Sequence, residues 1–486
     1  MCRFGLYFTQ TILASNKLIR KFFSAGVQAF AVQFLGILFF YVTSVCLSKN
    51  DFGIISWANA VSVTITTLLS FGLEQVVVRR IAASRSSYWA AAAYLLHSLV
   101  FSLLSLAVLG ILCFFFGSAS LRMTLLPWFF TVQALIFIGT PLKQFLNAQE
   151  RFTPYAVIAF TSNLLKLIAG IIWARYFYFS VYSVLWILGA GAFAELAALL
   201  LYISRNGAFS FRVRMSAYRK LLREALPQYI AVMFDTSLAR IDWILIGILC
   251  DNIATANYSF SYRAFEVAKL PIVVIGTVLL PKFSRLLQKN DDLGAPQKIM
   301  INQVLQVEVL LACFLMLALN IVWSPWVDTL THNKYGAGSA LTFLLLSLCI
   351  PLQFAINLMW TLCFSLRRYK AVAQTTMITA LVNLTANLVL IPLWRETGAA
   401  TAFLLATIVQ AALYISHLWR FNVPVSVIPV IVFELAALLV LIICQKAGIH
   451  WGWQLGIACI VFLTCFLVQK LRKIYDLKAL QVFLRQ

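Results

Sequence analysis

The chain has 486 residues, of which 62% are hydrophobic and 11% charged. Soluble globular domains carry about 25% charged residues, so a water-exposed globule is excluded and a lipid bilayer is the solvent this composition fits. The formal net charge of +22 is a topology signal rather than a nucleic-acid footprint, and the basic connector Arg205–Arg223 is assigned no nucleic-acid role.

At about 20 apolar residues plus a connector per crossing, there is room for some fourteen helices, and fourteen apolar stretches occur. The first six predicted spans are Gly26–Ser48, Phe52–Val78, Tyr88–Phe116, Leu125–Leu146, Pro154–Trp173 and Val181–Ile203. Next come Leu226–Cys250, Ala254–Leu280, Ile301–Trp323 and Gly338–Leu366. Ala371–Trp394, Gly398–His417, Pro424–Cys444 and Trp451–Val468 complete the set. Lys17, Arg20 and Lys21 precede a first span much longer than a signal-peptide core, so that span is expected to be retained.

Short connectors rich in Lys and Arg stay in the cytoplasm. The amino tail, every second connector and the carboxyl tail hold 28 of the 38 basic residues, whereas the other side holds six: Lys49, Arg122, Arg175, Lys334, Arg395 and Lys446. Both termini are therefore expected in the cytoplasm. The surplus charge also attracts anionic lipid headgroups.

The cysteines form no Cys-x-x-Cys pair, and His97, His332, His417 and His450 are too scattered in sequence for a zinc signature or triad. Gly-rich phosphate loops are absent too. A transporter without a cofactor is predicted, not an enzyme.

The chain echoes itself. Leu47-Ser48-Lys49-Asn50-Asp51-Phe52-Gly53 opens a span that closes at Arg79-Arg80-Ile81, and Leu249-Cys250-Asp251-Asn252-Ile253-Ala254 opens one that closes at Pro281-Lys282-Phe283-Ser284-Arg285. Ser162-Asn163-Leu164 and Val382-Asn383-Leu384 each sit in the fifth span of a half. The predicted fold is all-α and polytopic, with about 14 transmembrane helices. It divides into an N-terminal lobe (1–215), a C-terminal lobe (216–420) and an extra helical pair with a cytoplasmic tail (421–486). Six being even, the lobes insert the same way up as parallel repeats, with a cleft between them as the natural place for cargo.

Asn387-Leu388-Val389-Leu390-Ile391-Pro392 followed by Gly398-Ala399-Ala400-Thr401-Ala402 resembles the eleventh-to-twelfth-span signature of polysaccharide flippases in the multidrug/oligosaccharidyl-lipid/polysaccharide exporter superfamily. Asp51-Phe52-Gly53, Phe71-Gly72-Leu73 and Arg79-Arg80-Ile81-Ala82 resemble that family's second span, and Tyr258-Ser259 through Pro281-Lys282 its eighth. The resemblance covers about residues 25 to 420. It implies a bacterial inner-membrane carrier that moves an undecaprenyl-diphosphate-linked oligosaccharide between leaflets. Relatives supply O-antigen, capsule or exopolysaccharide synthesis, which brings polysaccharide polymerases and glycosyltransferases in as partners.

A charged side chain at bilayer depth costs at least about 2.5 kcal/mol. Four basic residues fall well inside spans: Lys166, Arg240, Arg263 and Lys269. The last three share the seventh-to-eighth hairpin with Asp235, Asp242 and Glu266. At about 1.5 Å of rise per residue from the tip at Asn252, opposite charges recur at matching depth: Asp235 with Lys269, Arg240 with Glu266, Asp242 with Arg263. Two readings stay open. The charges zip the hairpin together, or Arg240, Arg263 and Lys269 face water and meet the diphosphate. Glu195 on the following span is the nearest acidic partner for Lys166 in its lobe. If that pair forms it is internal glue, and if it does not, Lys166 adds positive charge to the cleft. Asn59, Thr64 and Thr67 are polar enough for glycan hydroxyls or for helix packing.

The implied mechanism is alternating access, the glycan and diphosphate in a wet cleft and the prenyl tail in lipid. A proton, a sodium ion and the membrane potential are equally compatible as the drive. Three alternatives are a lipid II flippase, a multidrug or cation extruder, and a membrane-embedded glycosyltransferase or polymerase. Phe30–Cys46 carries no charge, which departs from the first-span pattern of lipid II flippases. The Ser324–Ala337 connector has one acid, Asp328, too few for glycosyl transfer.

Overall fold

The computed structural model of the protein describes residues 31–84, 88–116, 121–206, 215–288, 294–423, 425–426 and 428–471, and every regular element among them is a helix. In chain order these are α1 (Ala31–Cys46), α2 (Lys49–Leu69), α3 (Leu73–Ala83), α4 (Trp89–Phe116), α5 (Leu121–Ala148), α6 (Phe152–Tyr176), α7 (Val181–Arg205) and α8 (Met215–Leu249). The series continues with α9 (Asn252–Ala268), α10 (Leu270–Gln288), α11 (Ala295–Thr331), α12 (Gly336–Ser347), α13 (Cys349–Ser365), α14 (Tyr369–Arg420), α15 (Ile428–Lys446) and α16 (Trp451–Leu471). Among the described residues, ten stretches are long and apolar enough to cross a membrane. The burial pattern is that of a protein in lipid. The most apolar window of α4 is only 11% buried, and Leu103, Ile111 and Phe114 on it are exposed. Such a surface is tolerable only where hydrocarbon covers it.

The chain forms two compact units, Met1–Thr236 and Ser237–Gln486. In the first, α5 packs against α2, α4 and α7, around a core that includes Leu73, Val77, Tyr94, Phe145, Leu199 and Leu221. In the second, α11 packs against α12, α13, α15 and α16, around Phe283, Leu305, Met316, Leu358, Tyr414 and Leu441. The α8 helix runs unbroken through the boundary, with its first 22 residues in one unit and the rest in the other.

Three predicted spans turn out to be broken, Gly338–Leu366 among them as α12 and α13, parted at Leu348. The span drawn over Phe52–Val78 is α2 and α3, parted where Phe71 and Gly72 take φ of 52° and 66°. A Cβ at Gly72 would lie 2.8 Å from the Tyr229 backbone nitrogen, so close approach to α8 and a left-handed φ both demand glycine there. The span over Ala254–Leu280 is α9 and α10, parted at Lys269. Pro271 supplies the reason, having no N–H to give the carbonyl of Val267 and disfavouring helical geometry in the residue before it. Ala371–Trp394 and Gly398–His417 stand as two helices within α14, as drawn, meeting at a sharp kink where Arg395 takes φ 54° and ψ −129°.

Candidate functional site

The hairpin of α8 and α9 is held at its tip by Asp251. Its Oδ1 accepts the Ala254 N–H at 2.8 Å, capping α9, and its Oδ2 pairs with Arg395. That pairing raises the pKa of the already basic Arg395 guanidinium. Asn257 on α9 donates to Glu396 at 3.1 Å, so the tip is tied twice to the fold of α14.

Within the hairpin the charges settle differently from the depth-matched pairs. Asp242 is fully buried and is held by the Tyr258 hydroxyl and by the Trp243 N–H at 2.8 Å, not by Arg263. Arg263 bridges Glu266 on its own helix at 2.8 Å. Arg240 lies with its guanidinium 4.6 Å from the centre of the Trp243 ring. The Lys269 ammonium sits 4.2 Å over the Phe265 ring, at the C-terminal end of α9, where its own N–H closes the last turn. A cation over an aromatic face and at a helix C-terminus is stabilised without a carboxylate. Asp235 falls in the other unit, on a solvent- or lipid-open face of α8.

In the first unit, Lys166 on α6 does meet Glu195 on α7, at 3.8 Å. A nearer partner is Lys143 on α5, at 2.7 Å. Sequence reading assigned Lys143 no role, although it lies inside the fourth span and inside α5. The stem of Lys166 runs across Gly191, where any Cβ would overlap it, and Ser162 donates to the Gly191 carbonyl at 3.0 Å. Thr64 and Thr67 return their hydroxyls to the Ala60 and Val63 carbonyls of α2, at 2.8 and 2.7 Å.

At the end of the first unit, Arg80 forks Glu224 of α8, Nε donating at 2.9 Å, and Arg79 stands 3.9 Å away. The Arg80 hydrogen bond holds the Glu224 carboxyl below its ordinary value. This gives the Arg79-Arg80 motif a contact. Among the described residues, no group of three or more His, Cys, Asp and Glu side chains is placed to hold a metal ion.

The family of polysaccharide biosynthesis proteins matches residues 18–287, more than half of the chain. The chain belongs to that family. Its fold is that of the multidrug/oligosaccharidyl-lipid/polysaccharide exporter superfamily. It is similar to a lipid II flippase MurJ in an inward closed conformation, with TM-score 0.74 and 13% identity over 93% of this chain and 100% of that one. It is also similar to an inward-facing multidrug resistance MATE family transporter, with TM-score 0.65 and 12% identity over 82% and 98%. The Vibrio cholerae MATE transporter VcmN in its bent form follows, with TM-score 0.52 and 13% identity over 84% and 98%. No curated protein matches. The family assignment bears out the resemblance carried by the span motifs.

Within this family member, charge counting overlooked the aromatic and hydroxyl partners Trp243, Tyr258 and Phe265, and also His97. His97 had a signal available: a lone histidine three residues past Ala90–Tyr94, inside an apolar span, needs a polar partner.

Proposed function

We propose that the protein is a flippase that moves an undecaprenyl-diphosphate-linked oligosaccharide repeat unit from the cytoplasmic to the periplasmic leaflet of a bacterial inner membrane. The repeat unit then enters surface polysaccharide synthesis, such as O-antigen, capsule or exopolysaccharide, alongside a polymerase and glycosyltransferases. Family membership supports the polysaccharide role. One observation carries the substrate class: Arg240 and Lys269 rest on aromatic rings while Arg263 pairs within its own helix. Away from the tip, in the part of the hairpin that belongs to the second unit, three cations thus stand against the two carboxylates of Asp242 and Glu266, Asp235 lying in the first unit. A diphosphate is the chemistry that such a surplus suits, Arg by a planar fork and Lys as a point charge. Lys166 is satisfied by Glu195 and takes the internal-glue role.

The lobes 1–215 and 216–420 exchange access, both termini lie in the cytoplasm, and spans in 421–486 flank the prenyl tail. Differential contact of the diphosphate with the two states supplies the shift in their populations. The test places the purified protein in liposomes with a fluorescent undecaprenyl-diphosphate sugar and follows its transfer between leaflets. Single Arg240→Gln, Arg263→Gln and Lys269→Gln variants are expected to slow transfer at equal protein level, and unchanged transfer in all three overturns the reading. Collapsing the proton gradient, the sodium gradient and the potential in turn identifies the drive.

A further inference from the structure

The first unit contains a cavity that the α8–α9 charges do not use. It has a volume of about 870 Å³ and is walled by α1, α3, α5 and α6, within the span of about 300 to 1,000 Å³ common for small-molecule sites. Its polar wall is a connected row. Asn147 Nδ2 donates to Gln144 Oε1 at 3.3 Å, and Gln144 Nε2 donates to Glu74 Oε2 at 3.3 Å. Gln75 and Arg79, one helical turn apart on α3, add an exposed amide and an exposed guanidinium, and Tyr155 on α6 adds an aromatic ring.

This lining discriminates among ligands. An anion would face the Glu74 carboxylate, and among the described lining residues Arg79 is the one basic side chain, already 3.9 Å from Glu224. A lipid chain would leave Glu74 and three carboxamides facing hydrocarbon, at a desolvation cost for each unpaired group. A neutral polyol matches. The carboxylate accepts from hydroxyls, each carboxamide both donates and accepts, and the Tyr155 ring offers a flat face to the C–H side of a pyranose.

The geometry points to a recognition site for a neutral hexose or N-acetylhexosamine of the cargo, with Glu74, Gln144 and Asn147 taking ring hydroxyls. This rests on the flippase reading above and places the sugar, which that reading left unplaced.

The experiment titrates the full chain, in lipid nanodiscs, with two probes by native mass spectrometry: undecaprenyl diphosphate bearing one N-acetylglucosamine, and bare undecaprenyl diphosphate. For Glu74→Gln and Asn147→Ala, the Kd of the glycosylated probe is expected to rise about tenfold, while that of the bare probe stays within about twofold. Gln75→Ala removes an exposed side chain that no fold contact depends on, and its expected rise of about threefold is read on a protein whose melting is unchanged. Parallel weakening of both probes, or no change in either, overturns the sugar site. A wild-type chain that binds both probes equally also overturns it, without touching the flippase reading. A wild-type chain that binds neither probe overturns both.

Discussion

His97 Nε2 lies 2.6 Å from the carbonyl oxygen of Leu69, the last residue of α2. An acceptor there obliges Nε2 to carry the proton, so Nδ1 accepts from the Tyr218 hydroxyl at 2.7 Å. One imidazole therefore serves a carbonyl near the α2–α3 break and pins α8 to α4. Removing it leaves two half-buried polar groups without this partner, so His97→Phe is expected to destabilise the protein by about 1–3 kcal/mol, and Tyr218→Phe by about 0.5–1.5 kcal/mol. Thermal melting in detergent, read by loss of the monodisperse size-exclusion peak, measures both. Equal melting of His97→Phe and wild type would show that the bracket contributes nothing.

Gly72→Ala should be poorly tolerated. Left-handed backbone alone costs a residue with a Cβ about 1–2 kcal/mol, and the methyl would press on the Tyr229 backbone at 2.8 Å. Gly110→Ala on the open face of α4 meets nothing within 4 Å and gains about 0.5–1 kcal/mol of helix propensity. Opposite shifts in melting temperature are expected, and shifts of the same sign would contradict the close approach.

Glu195 serves two lysines. Breaking a buried pair by deleting one partner costs about 3–5 kcal/mol, so Glu195→Gln is expected to be among the most damaging single changes in the first unit. Lys143→Met with Glu195→Leu together should recover part of that loss. A double-mutant cycle on melting checks the coupling, and strictly additive effects would mean the 2.7 Å contact carries no interaction energy.

The Arg80–Glu224 fork contributes a pH dependence of known sign. Arg80 lowers the Glu224 pKa from its ordinary 4.5. The associated stability is therefore fully present above pH 4.5 and is lost as pH falls below it through the folded-state value. Because Glu224 is about a third exposed, solvent screens the pair and the contribution is expected to be about 0.2–1 kcal/mol. Glu224→Gln should flatten the acid limb of the melting profile and leave neutral pH nearly unmoved. An acid limb as steep as in wild type would remove Glu224 from the account.

Tyr258→Phe withdraws the hydroxyl that holds fully buried Asp242. A hydrogen bond to such a group is worth about 1.5–3 kcal/mol, and Asp242→Asn in the same background should restore part of it. Melting of the three variants decides this, and a silent Tyr258→Phe would mean Asp242 is held by other groups.

Span positions were legible because apolar length is local: Tyr88–Phe116 on sequence is Trp89–Phe116 in the structure. The break at Lys269 was legible in principle through Pro271. The break at Phe71 and Gly72 was not, since the close approach that demands a bare Cα there comes from Tyr229, far along the chain. Lys166 and Glu195 could be paired because α6 and α7 are consecutive, while Lys143 was hidden by its place one turn from a span end. Counting charges by depth found the right hairpin but not the right partners. Depth says nothing about which face of a helix a side chain occupies, nor that tyrosine hydroxyls and indole rings compete with carboxylates for the same charges.

The bare backbone at Gly191 has a remote effect. Because the Lys166 stem fills the space a side chain would need there, even one added methyl must push the ammonium away from Glu195. Bulk on α7 is thereby converted into an orphaned cation on α6. A substitution that changes no charge on paper would alter the electrostatics of the first unit as surely as replacing the lysine itself.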